Sequence, residues 1–181
     1  MQQSMHSSLT KTVLWTLFAV LATSVALAQD VTSNSMPGTN FGKYHSYKWV
    51  KIEGAEYPNE IMDAQIKASV DKQLATKGLT KSDGDNADLN LGYQVSVAQS
   101  REWNAYSTGG MRWGGGMGTA TESTINTGTL VLDMYDPASK QLVWQGRATK
   151  TLDPGAKEDK RLKNLDKATE KLMKNFPPKQ G

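Results

Sequence analysis

The sequence predicts an α+β fold, an antiparallel sheet of about four to five strands with two helices packed on one face. Three observations carry this reading. Leu89, Leu91, Tyr93, Val95 and Val97 alternate with Asn90, Gly92, Gln94, Ser96 and Ala98, the period of a strand with one buried face. Met62, Ile66, Val70 and Leu74 recur every four residues, and Leu162, Leu165, Leu172 and Phe176 share one side of a second helix. The order strand, helix, three longer strands, helix suits two helices laid on one face of a sheet.

The domain is preceded by a leader. Lys11 stands before the apolar run from Thr12 to Ala22, and Ala26-Leu27-Ala28 offers small residues where a signal peptidase reads. This is a secretory signal with cleavage between Ala28 and Gln29. Thr23 and Ser24 interrupt the apolar core well short of the roughly 20 residues that a spanning helix needs. Among 181 residues there is no cysteine, which removes disulfides, thiolate metal sites, cysteine nucleophiles and the attachment point of a covalent lipid anchor. The expected location is the periplasm. The leader holds one of the 21 basic residues and none of the 18 acidic ones, so the single domain expected over 29–181 carries 20 against 18. That balance gives no support to nucleic-acid binding.

Gln29 to Asn40 reads as a short edge strand and an exposed lead-in. Phe41 to Val50, with Tyr44, Tyr47 and Trp49 spaced among polar residues, reads as a strand entering the sheet. Pro58 suits the first turn of a helix running from about Asn59 to Lys77, which Gly78 ends as a left-handed cap with Leu79 folding back. After the turn Ser82 to Asn86 comes the strand from Leu89. The segment 103–118 has six glycines in sixteen positions, with Trp103, Tyr106, Met111, Trp113 and Met117 between them, and is expected to be a long loop. Strands from Thr124 to Tyr135 and from Leu142 to Leu152 flank Asp136-Pro137-Ala138-Ser139, a turn with proline in its preferred second place. In the returning strand Leu142, Trp144, Gly146 and Ala148 fall on one face, and Val143, Gln145 and Arg147 on the other. The last helix is expected to start after Asp153-Pro154, either capped by Asp153 or a few residues later, and to continue to Asn175, where Pro177-Pro178 stops it.

Five blocks together resemble the family called domain of unknown function 4136: Phe41 to Trp49, Ala87 to Tyr93, Gly128 to Asp136, Leu142 to Gly146, and Asn175 to Pro178. That family groups bacterial envelope proteins, many of them lipoproteins. The resemblance implies an envelope location but no activity, cofactor or catalytic residue. This chain departs from the lipoprotein members by lacking the lipid-bearing cysteine.

Candidate chemistry is sparse. The domain has one histidine, His45, with no partner for a triad in view. Asp83 to Asp88 superficially resembles a calcium loop, but Ala87, Asp88 and Gln94 stand where the motif wants an oxygen ligand, a glycine and a glutamate. No phosphate-binding glycine motif is present, so no metal or cofactor is expected. Trp103, Tyr106 and Trp113 on the glycine-rich segment are the candidate contacts for a ligand or partner, since exposed aromatics stack on sugars or enter a partner's surface. Lys160, Lys163, Lys167, Lys171 and Lys174 line the solvent side of the last helix, bordered by Asp159, Asp166 and Glu170.

The expected function is that of an exported envelope accessory or interaction domain without identifiable catalysis, its partner an unknown envelope protein or glycan. A small-ligand or glycan-binding protein using the Gly/Trp-rich segment is the alternative, and a hydrolase with an unrecognised carboxylate pair the weaker one. Intact-mass measurement of the periplasmic extract is expected to find a chain beginning at Gln29. Retention of residues 1–28 in the membrane fraction would show that the leader is an anchor.

Overall fold

A computed structural model describes residues 30–106 and 119–178. The expected leader, its expected cleavage point at Ala28 and Gln29, and Trp113 lie outside the described residues. The chain runs β1 (Asp30–Ser35), β2 (Ser46–Trp49), α1 (Glu60–Thr76), β3 (Thr80–Lys81), β4 (Leu89–Tyr106), β5 (Thr119–Asp136), β6 (Gln141–Leu152) and α2 (Glu158–Met173). The fold is α+β, as expected, but the sheet has six strands in the order β1-β6-β5-β4-β2-β3.

The sheet is also mixed. β1, β6, β5 and β4 pair antiparallel, whereas β2 runs parallel to both β3 and β4. The cause is the connection, because a chain that leaves β2 and returns through a helix laid on the sheet re-enters in the same direction. Only Ser46–Trp49 of the expected strand at Phe41–Val50 is extended. Phe41–Lys43 forms a 3-10 turn instead, in which Asn40 accepts a hydrogen bond from Gly42 N and Phe41 is buried.

The core lies between the sheet and the two helices. Leu91 stands opposite Met134 and Tyr93 opposite Leu132, while Met134 and Leu132 stand opposite Trp144 and Gly146 on the other side. All of these side chains are buried, beneath Ile66, Val70 and Leu74 of α1 and Leu172 and Met173 of α2. Ser69 of α1 and Thr169 of α2 join the helices by a buried 2.7 Å hydroxyl contact.

Local signals explain the helix ends. Asn59 caps α1 by accepting from Met62 N at 2.9 Å, so the helix starts one residue later than expected and Pro58 precedes the cap. Gly78 has φ +81°, and Leu79 N donates back to Leu74 O, a glycine-terminated C-cap. α2 starts at Glu158, after Asp153, whose carboxylate instead takes Gly155 N and Lys160 Nζ.

Two departures come from strand detail. Tyr135 pairs with Leu142 but Met134 with Trp144, leaving Val143 as a bulge. Val143 and Trp144 are therefore both buried, against the alternation expected from the sequence. The loop expected over 103–118 is a strand at its start, since β4 continues through Trp103 and Tyr106, and 107–118 lie outside the described residues.

Gly146 lies beneath the widest ring of the core. A Cβ there would overlap the Trp144 ring and come within 2.8 Å of Leu172 Cδ1. Gly146→Ala is expected to cost about 1–3 kcal/mol through overpacking, read as a lower denaturant midpoint with an unchanged slope.

Candidate functional site

The described residues offer three places to look: the buried carboxylates, two surface hollows, and the end of the sheet where β4 and β5 outrun their neighbours.

The carboxylates are engaged in holding the fold. Asp136 is buried where β5 turns toward β6. Its Oδ2 accepts from Lys43 Nζ at 2.8 Å and Tyr44 Oη at 2.9 Å, and its Oδ1 accepts from Ala138 N and Ser139 N. The Lys43 ammonium and these donors hold the carboxyl far below its ordinary range against the opposing effect of burial. Asp88 Oδ2 accepts from His45 N, Ser46 N and Ser46 Oγ, and the His45 and Ser46 donors lower its pKa. Asp133 accepts from Gln145 at 2.7 Å. Asp71 takes the Tyr47 hydroxyl and the Trp49 indole N–H, both at 2.8 Å.

Asp63 takes the Tyr93 hydroxyl at 2.5 Å and Lys67 Nζ at 2.9 Å. Burial opposes its ionisation, but the Tyr93 and Lys67 donors outweigh it and bring the pKa down. The tyrosines respond in the other direction. Burial first and the neighbouring carboxylate second push Tyr47 and Tyr93 upward. A general acid needs a carboxyl whose pKa is raised, and Asp63, Asp88, Asp136 and Asp153 are all shifted down.

His45 is exposed, and its backbone rather than its ring is used: its N donates to Asp88 and its O accepts from Thr80. No group of three or more histidine or acidic side chains able to hold a metal occurs among the described residues.

One hollow, of about 340 Å³, lies between β1 and the end of α2, lined by Ser33, Ser35, Trp144, Lys174 and Pro177. The other, of about 410 Å³, is lined by Val50, Asn90, Tyr135, Asp136, Pro137 and Lys140. Asn90 Oδ1 is sealed from solvent there without a hydrogen-bond partner.

The end of the sheet is the most distinctive feature. β4 and β5 are 18 residues each, about 60 Å of extended chain. β6 stops where Leu152 meets Asn126, and β2 leaves β4 after Trp49 meets Leu91. From Gln99 to Tyr106, β4 therefore pairs with β5 alone, over 119–126. Polar pairs hold this two-stranded arm, with Gln99 Nε2 donating to Asn126 Oδ1 at 3.2 Å and Arg101 lying 3.4 Å from Glu122. Val97 and Leu152, at its base, are 67% and 41% exposed, which marks where the helix layer ends. Of the three candidate contacts, Trp103 and Tyr106 lie on this arm rather than in a loop. Alternating polar and threonine residues gave no apolar period from which the arm could be read.

These features define an α+β domain with helices packed on a sheet, its buried carboxylates Asp133 and Asp136 bound internally and a two-stranded antiparallel arm extending past the neighbouring strands. The chain belongs to the family described as domain of unknown function (DUF4136), whose model matches residues 31–178. A search of the curated proteins finds no match.

Among solved structures, a PDZ domain protein from Parabacteroides distasonis aligns with TM-score 0.57 and 11% identity, over 84% of this chain but 37% of that one. The PelC dodecamer from Paraburkholderia phytofirmans aligns with TM-score 0.52 and 13% identity, over 84% of this chain and 100% of that one. At such identities the likeness is one of fold.

Asp136→Asn, which removes the charge and leaves donors facing an amide, is expected to cost about 1–3 kcal/mol at neutral pH. A carboxyl held below its unfolded value adds stability above that value, near 3.9, and loses it as pH falls through the folded one. Urea melts at pH about 7 and about 2.5 are therefore expected to show the gap between wild type and variant closing in acid. A gap independent of pH would show that the charge contributes nothing.

Proposed function

We propose that this chain is an exported accessory or interaction module of the cell envelope, without catalytic activity, that meets its partner through the β4–β5 arm. The observation that carries the reading is the arm itself. A two-stranded ribbon, to which no third strand pairs among the described residues, is marginal in water, and its edges offer backbone groups to another chain. The leader supports export. The engaged carboxylates favour binding over turnover, and PelC, whose fold this chain shares, is solved as a dodecamer, so the fold is compatible with assembly. No helix among the described residues is long and apolar enough to cross a membrane.

The test replaces residues 100–125 by a two-residue turn joining Gln99 to Asn126, which face each other. Since none of the side chains described over 100–102 and 122–125 is buried, the melting temperature is expected to stay within about 5 °C. Photo-crosslinkers at Ser100 or Thr124 in intact cells are expected to capture a discrete envelope protein or a second copy, and one at Lys81 is not. Equal capture from all three positions would defeat the proposal. Recovery of a glycan instead would favour the ligand-binding alternative.

A further inference from the structure

The lysines of α2 are not distributed as on an ordinary solvated face. At 100° per residue, Lys160, Lys163, Lys167, Lys171 and Lys174 fall within an arc of roughly 80° and along about 21 Å of helix axis, opposite the packed side. Lys163, Lys167, Lys171 and Lys174 are exposed and form no ion pair among the described residues. Lys160 alone has one, with Asp153 at 2.8 Å.

At the same step Asp159, Asp166 and Glu170 border the stripe on one flank only, within about 60° of its edge. Asp166 is tied there to Ser69 Oγ at 2.7 Å and to Lys72 at 3.7 Å. On the opposite flank β6 adds another cation. Lys150, partly buried, reaches up from the sheet and donates to Asn164 Oδ1 of α2 at 2.8 Å. Its pKa is lowered by burial first, and then by the charges of Lys167, Lys171 and Lys160.

We propose that the lysine face of α2, with Lys150 beside it, is a docking surface for an anionic lipid bilayer. Charge complementarity identifies the kind of partner and the shape of the face selects among anions. Lys163, Lys167 and Lys171 follow one another at intervals of four along the exposed side of α2, a row that suits a planar array of headgroups better than a shaped ligand. Lysine also acts as a point charge, without the planar fork by which arginine selects one phosphate or carboxylate geometry. The five helix positions carry no apolar side chain, so attachment stays at the headgroup level and reverses with salt.

The experiment is co-sedimentation of the protein, as recovered from its host, with vesicles of phosphatidylglycerol and phosphatidylcholine in equal parts. Phosphatidylcholine alone serves as the neutral surface. Binding is expected on the anionic vesicles at low salt and release at high salt. Each lysine near an anionic surface contributes about fivefold, so Lys163→Ser, Lys167→Ser and Lys171→Ser together are expected to lower the partition coefficient roughly a hundredfold. All three are exposed, and an unchanged melting curve confirms that the variant is folded.

A matched variant removes the same charge at the other edge of the sheet, through Lys48→Ser, Lys51→Ser and Lys81→Ser, and is expected to lose far less binding. An equal loss in the matched variant would show that net charge, not this face, binds, and would overturn the proposal. Equal binding to neutral vesicles would overturn it too, as would retention on immobilised heparin without retention on anionic vesicles.

Discussion

The register of β4 on β5 is the constraint on which the rest of the structure depends. Leu91 faces Met134 and Tyr93 faces Leu132, and both helices pack on the surface these residues make. A slip of one residue would turn each of them to the outer face and leave polar neighbours under the helices. Glycines are placed where this register brings other groups against the sheet. At Gly92 a Cβ would meet Ile52 Cγ1 at 2.6 Å on the outer face, and at Gly128 it would meet Leu152 Cδ2 at 2.9 Å on the inner one. Each glycine admits a neighbour that a larger residue in the same register would displace.

The blocks that carry the family likeness bind one another. Lys43 and Tyr44, from the first, reach Asp136 in the third. Asp88, from the second, secures the start of β2 through His45 and Ser46, and Asp133 in the third meets Gln145 in the fourth. Phe176, from the fifth, packs edge-on against Trp144 at 5.2 Å and Phe41 at 5.7 Å. These motifs are joints between strands and turns distant in sequence.

What could be read in the sequence was whatever has a strong local cause. Gly78 stops α1 because it alone takes φ +81° there without strain, and the apolar alternation of Leu89 to Val97 had to be a strand. The parallel placement of β2 was hidden because direction is set by the crossover through α1 and not by Ser46–Trp49. The bulge at Val143 was hidden because an extra residue in one strand leaves no mark in a run of apolar residues. The arm was the largest loss. Glycines beyond Tyr106 suggested a loop from Trp103 onward, whereas the ladder continues to Tyr106 opposite Thr119 through residues whose pairing is polar. For the same reason Trp103 and Tyr106, expected on a loop, lie on β4 instead.

Composition understated the electrostatics for a related reason. Twenty basic against eighteen acidic residues in the domain suggests a nearly neutral surface, but the two signs are spent differently. Asp63, Asp71, Asp88, Asp133 and Asp136 each accept hydrogen bonds from groups of the sheet or its turns, and Asp133 and Asp136 are almost wholly buried. A carboxylate that collects several donors can be drawn into the fold in this way, whereas a lysine has only donors and loses much hydration when buried. Most lysines are accordingly left outside. Asp133 and Asp136 leave the surface to act as joints, while Lys163, Lys167, Lys171 and Lys174 remain on it, and a chain of small net charge presents a row of exposed lysines that no count of residues could reveal.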